Sequence, residues 1–223
     1  MILTLSKFKG EVAKLLHDFF DWLQNGWGAA EFGDGTSFST RLEGSLNFWG
    51  LLEGTHLLTL MLFFGTILLV DLRLLGLSFR QLPVSTVHRR LLPLTITAMI
   101  IMLVTGVILF LAKPEVYWHN LMFRTKMVLL IVAMINIGVF HYVIEKSSAE
   151  WDTAPKTPPK AKISAIISLT SWILIMACGR FIAYNWFECG KGQPDWVNAA
   201  QQCDISNKGA VRIGDDAISG ESF

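Results

Sequence analysis

The sequence has almost no surplus of either charge. Nineteen Lys and Arg stand against eighteen Asp and Glu, a formal balance of +1, and no segment gathers the cationic excess that phosphate neutralisation needs, which excludes a nucleic-acid footprint. Cysteine is scarce, with three in 223 residues, and none stands in a CxxC. A Walker-type glycine loop, an HExxH and a GxSxG in a strand–helix setting are all missing, so the chemistries those motifs carry have no foothold. The N-terminal stretch MILTLSKFKGEVAKLL lacks the marks of a cleavable signal, because lysines interrupt the short apolar core and no small-residue cleavage site follows. The first spanning helix is therefore expected to target the protein.

Apolar residues, in contrast, are abundant. They make up 52% of the chain, mean hydropathy is +0.45, and they fall in long blocks with the charges between them. That is the composition of one integral membrane domain, here read as an all-α, four-helix membrane bundle preceded by an interfacial amphipathic helix. Spans are expected at roughly Leu46–Val70, Leu91–Ala112, Leu121–Val143 and Ile163–Trp186, each near the twenty or so residues that hydrocarbon thickness requires. Three regions follow: 1–40, an amphipathic helix and loop; 41–188, the bundle; and 189–223, a polar tail.

In the first region, Leu5, Phe8, Val12, Leu15, Leu16, Phe19 and Leu23 repeat at helical spacing opposite Lys7, Lys14, Asp18 and Asp21. This pattern suits a helix lying in the membrane interface, or one docked on a neighbouring subunit. His17 is read as solvated, and Gly26 to Ser39 as a loop. The connectors Asp71–His88 and Glu145–Lys162 hold most of the basic residues near the spans, so the positive-inside bias makes both cytoplasmic and puts both termini in the periplasm of a bacterial inner membrane. The second connector is proline-rich and expected to be irregular. Cys189 and Cys203 would then lie on the oxidising side, able to pair around a polar loop. The tail beyond Asp204 is expected to be extended or to need a partner for order.

Chemistry is sought among charged and imidazole side chains inside the spans, because such groups are costly in hydrocarbon and normally face a bundle interior with a partner. His88 begins the second span and His141 nearly ends the third, so the two share a level and can face each other. His56 and His119 share the other side of the membrane but not a depth, His56 lying about 10 Å below Trp49 by helix rise. His119, Lys126, Leu130, Ile137 and His141 lie on one stripe of the third span, with Met134 at its edge. His88, Thr95, Met99, Met102 and Gly106 do so on the second. Imidazoles with soft apolar walls, and a small residue where a planar ring comes close, suit haem b; plain helix packing uses the same small and apolar residues. Arg124, Lys126 and Arg180 call for anions, which haem propionates, Glu53, a lipid phosphate or a quinol-like ligand would supply. Snorkelling to the headgroups serves Arg124 equally. Glu53 either orients His56 through a hydrogen bond or relays protons. Eight Met residues raise copper handling, with Met99 and Met102 the one clear pair on a histidine stripe.

At Glu53-x-x-His56, Asp71-Leu-Arg73-Leu-Leu-Gly76, Thr105-Gly106, Phe123-x-x-Lys126 and Asn136-x-x-x-Phe140-His141, the chain resembles an uncharacterised bacterial inner-membrane family over most of residues 45–186. It is more distantly similar to four-helix membrane proteins of the cytochrome b-561 and copper-resistance D type, whose bundles carry haem b in the former and are implicated in copper handling in the latter. The first likeness brings no known activity, and the second implies transmembrane electron transfer. Only His56 and His141 fall in the closer family's motif positions, and helix rise separates them by roughly 15 to 25 Å, too far to share one iron. One haem on His88 and His141, or two with His56 and His119 as the second pair, are the cofactor expectations. A quinol and other membrane or periplasmic subunits are the expected partners. A cofactor-free accessory subunit of a larger complex and a copper transporter are the other functional readings.

Overall fold

The computed structural model describes residues 2–31, 34–79, 81–144, 157–184, 187 and 194–201. The described residues are helical, with no strand among them. In chain order the helices are α1 (Ile2–Asp21), α2 (Phe38–Gly44), α3 (Leu46–Leu75), α4 (Val84–Ala112), α5 (Pro114–His119), α6 (Leu121–Val139), α7 (Pro159–Ala183) and α8 (Asp195–Gln201). Single π-helical turns follow α1 at Trp22–Gly26 and α6 at Phe140–Ile144. Four helices are long and apolar enough to cross a membrane: α3, α4, α6 with its π turn as far as Tyr142, and α7. The protein is an integral membrane protein, as its composition requires. Backbone groups in hydrocarbon must be satisfied internally, which leaves helices for chains of this pattern.

The chain divides into two compact units: unit 1 comprises 1–40, 113–126 and 178–223, and unit 2 comprises 41–112 and 127–177. Unit 2 holds the body of all four spanning helices. Its core is Phe63, Ala98, Met102, Ala133, Trp172 and Ile175, with the Phe63 ring edge-on to Trp172 at 4.6 Å between centroids. Met99 packs against this cluster and Met102 belongs to it, so the methionine pair on the histidine stripe fills space among apolar side chains. Outward positions such as Leu58, Met61, Val107 and Val128 are exposed, which is the arrangement lipid selects. Thr55, Thr59 and Thr95 are tolerated because each hydroxyl donates back to the carbonyl four residues earlier, at 2.7 to 2.9 Å.

Polar contacts join the helices of unit 2. Asn136 donates through Nδ2 to the Ser164 carbonyl at 3.0 Å and accepts from the Ser164 hydroxyl at 3.0 Å, a reciprocal clamp between α6 and α7 with both residues buried. The sequence Asp71–Gly76 is the stop of α3. Gly76 adopts φ 74°; its N–H bonds the Arg73 carbonyl at 3.1 Å, and Leu77 N–H bonds that of Leu72 at 3.0 Å, which is the Schellman arrangement. Arg73 Nε donates to the Leu82 carbonyl at 2.6 Å and so ties down the short connector to α4.

Several boundaries differ from those the apolar runs imply. The first spanning helix continues past Val70 to Leu75, and Asp71 and Arg73 are 5% and 6% exposed; Asp71 is bonded by Ser168, though its Oδ2 finds no partner among the described residues, and Arg73 Nε donates to the Leu82 carbonyl. The second helix starts at Val84, a full seven residues before Leu91, and the fourth spans Pro159–Ala183, with Trp186 outside the described residues. Most of the proline-rich connector, Cys189, Cys203 and the tail from Asp204 also lie outside them.

In unit 1, α1 packs on α5, with Phe20 against Trp118 at 4.9 Å between ring centroids. The π turn after α1 is closed by serines: Ser37 donates to the Gln24 carbonyl and Ser39 to that of Leu23, so the expected loop ends at Phe38, where α2 begins. Val12, Leu15 and Phe19 on α1 and Trp22 in the π turn remain exposed. Asn120 caps α6 by accepting from the N–H groups of Met122 and Phe123 at 2.9 and 3.2 Å, which makes a corner immediately after His119.

Candidate functional site

Unit 2 contains three of the histidines. His88, in the second turn of α4, and His141, in the π turn after α6, lie ring to ring with centroids 5.1 Å apart and planes at 50°. Phe140 packs edge-on to His88 at 6.1 Å. The insertion that makes a π turn rotates the residues after it relative to a regular helix, and such turns are frequent at functional sites; here it carries His141. Around this level sits a second apolar cluster of Leu74, Val84, Ala161 and Ala165, with Phe140 packed against it. An open cavity of about 250 Å³ at the start of α4 is lined by Ser85, Thr86, Arg89 and Arg90.

His56 has a different environment. Its Nδ1 lies 3.0 Å from the Thr105 hydroxyl, and that hydroxyl lies 2.8 Å from the Ile101 carbonyl, to which it donates. A hydroxyl has one proton. With that proton committed to Ile101, the Nδ1–H of His56 is the donor to Thr105 and the lone pair stays on Nε2. Gly106 completes the arrangement: a Cβ there would stand 3.1 Å from His56 Cε1, so its bare backbone makes room for the imidazole. The small residue expected to admit a macrocycle admits a histidine ring. Glu53, one turn before His56, is exposed, and Thr105 does the orienting expected of it. Sequence reading did not pair Thr105 with His56, although the Thr105-Gly106 motif was its signal.

The remaining candidates lie in unit 1. His119 is 5% exposed and its Nδ1 donates to the Gln201 carbonyl at 2.9 Å. Burial pushes its pKa below the usual histidine value, with the Gln201 bond and Glu115 opposing and Arg124 and His17 adding to the shift, so the ring is neutral at physiological pH. His17 is not solvated as its place on the polar face of α1 implied: its side chain is 19% exposed and faces Glu115, because docking α1 on α5 covers that side. Arg124 donates to the carbonyls of Trp118 and Ala200, both at 2.7 Å. Arg180 bonds the Tyr184 hydroxyl and lies over its ring at 4.4 Å, in an exposed position. Lys126 brings its ammonium to the backbone of Gly179, where an added Cβ would be 3.7 Å from Nζ. Phe123 of the same motif stacks on Tyr117 at 5.7 Å.

The chemistry available is therefore that of imidazoles held by neighbours that fix their tautomers and orientation, with one ring-to-ring pair drawn from two spanning helices. No curated protein and no solved structure matches the chain. Residues 43–185 match the model of a family of unknown function, DUF6644. This segment takes in every motif named above, and the chain belongs to that family.

Proposed function

We propose that the protein is a b-type cytochrome of a bacterial inner membrane, holding one haem through His88 and His141 and passing electrons between a quinol or another membrane partner and a periplasmic acceptor. The observation that carries this reading is the approach of two imidazoles from different spanning helices to 5.1 Å. The donor set fits the group, since bis-imidazole ligation is what haem b takes, and small and aromatic side chains, Ala161, Ala165 and Phe140, stand at the same level. Bound there, haem supplies one-electron transfer. His88 and His141 would hold the iron, and Phe140, packed edge-on to His88, would limit its rotation. The reading takes one haem because, among the described residues, His88 and His141 are the imidazole pair drawn from two spanning helices. Basic residues on the two connectors support an orientation with both termini periplasmic.

The test is the reduced-minus-oxidised absorption spectrum of protein made with haem supplied. Bands of about one haem per chain, lost in His88→Ala and His141→Ala and kept in His56→Ala, are expected; a featureless spectrum ends the proposal. A second reading, a cofactor-free accessory subunit, is favoured by the filled core around Phe63 and Trp172 and by the exposed apolar face of α1. It predicts co-purification with a partner and unchanged stability in His88→Ala and His141→Ala.

A further inference from the structure

Outside the spans, α1 and α5 bring together three side chains that neither the haem reading nor the family assigns. His17, Glu115 and His119 each offer one ligand atom, and these atoms lie within 4.8 Å of one another. His17 Nε2 is 3.3 Å from Glu115 Oε1, close to the ligand-to-ligand spacing around a tetrahedral ion bound at about 2.0 to 2.1 Å. The Nε2 atoms of both His17 and His119 are buried and make no hydrogen bond among the described residues. In His119, Nδ1 is spent on the Gln201 carbonyl, which fixes the proton on that side and leaves Nε2 to ligate. A backbone carbonyl in this position is the usual outer partner of a metal-bound histidine. His17 Nδ1 faces Asp18 at 3.6 Å, too long for a hydrogen bond but placing a second carboxylate behind the other imidazole.

We propose that His17, Glu115 and His119 bind one divalent transition-metal ion of the zinc class, with a coordination position left for water or an outside ligand. Two imidazoles and one carboxylate are a donor set that zinc uses with an open fourth site. Magnesium and calcium favour near-complete oxygen shells and are disfavoured here. Charge favours the ion: the Glu115 carboxylate is in the cluster and Asp18 lies behind His17, while the Arg124 guanidinium is turned to the carbonyls of Trp118 and Ala200. Without an ion, the buried Nε2 of His119 has no hydrogen-bond partner among the described residues and that of His17 has only the Glu115 carboxylate beside it. With one, α1 is cross-linked to α5 and, through Gln201, to α8. The site is independent of His88 and His141.

Full-length protein in detergent, purified through a tag without histidine and stripped with a chelator, tests the proposal by Zn²⁺ titration against a chromophoric competitor and by Co²⁺ absorption. One Zn²⁺ per chain and visible Co²⁺ bands of a four- or five-coordinate centre are expected. His17→Gln and Glu115→Gln should weaken Zn²⁺ binding by about tenfold or more, while His88→Ala leaves it unchanged. His119 is buried and its loss threatens the fold, so the two partly exposed ligands carry the test. No stoichiometric uptake by the wild type, or equal affinity in His17→Gln and Glu115→Gln, overturns the site; neither result bears on the haem spectrum.

Discussion

The Asn136–Ser164 clamp invites a double-mutant cycle. Two hydrogen bonds of 3.0 Å join α6 to α7, one to a side chain and one to a backbone carbonyl, both buried. Polar contacts between membrane helices average about 0.6 kcal/mol and reach about 1.7. Asn136→Ala removes both bonds and is expected to cost about 1 to 3 kcal/mol. Ser164→Ala removes only the hydroxyl bond, leaving Asn136 Nδ2 on the carbonyl, and is expected to cost about 0.6 to 1.7 kcal/mol. Once Asn136 is gone the serine hydroxyl can bond back to its own helix, so adding Ser164→Ala to Asn136→Ala changes little and the coupling energy approaches the full cost of Ser164→Ala. Reversible unfolding from mixed micelles by increasing dodecyl sulfate fraction, followed by tryptophan fluorescence, measures all four corners. A coupling energy below about 0.3 kcal/mol, the level expected of independent sites, or a Ser164→Ala cost equal to that of Asn136→Ala, refutes the argument.

Gly76→Ala is expected to destabilise by about 1 kcal/mol in the same assay, because φ 74° is a left-handed conformation that a Cβ disfavours. Gly106→Ala should reverse sign with context. In the wild type the new Cβ meets His56 Cε1 at 3.1 Å and costs stability, whereas in His56→Ala the same change gains about 0.5–1 kcal/mol from helix propensity; stabilisation in both backgrounds would mean the glycine is not there for the ring. Thr105→Val removes the acceptor of His56 Nδ1–H and is expected to shift the imidazole tautomer toward a mixture, read by ¹⁵N chemical shifts of labelled histidine, with an unchanged spectrum contradicting the proton assignment.

The candidate site was legible in part. The level shared by His88 and His141 follows from alternating helix direction and helix rise, and the structure brings these two rings to 5.1 Å between centroids, tilted by 50°. The partner of His56 was not legible, since Thr105 lies on another helix and periodicity says which residues share a stripe, never which stripes meet. His17 was read as solvated for the same reason: amphipathicity ranks the faces of α1 by polarity, and a polar face can still be covered when its groups find ligands or charges on α5. The motif Asp71–Gly76 carried a legible stop signal in its glycine, yet the burial of Asp71 and Arg73 required knowing that Ser168 and Leu82 stand beside them.

Sequence alone determined that this is a four-span helical membrane protein, because hydrocarbon thickness sets the length of an apolar run and the absence of water there forces each backbone segment to satisfy itself. Only the tertiary structure decided which polar side chains meet: Asn136 with Ser164, His56 with Thr105, and His17 with Glu115 and His119. Those pairings rest on helix rotation and docking, which depend on how whole surfaces pack and are not written in the spacing of any one segment.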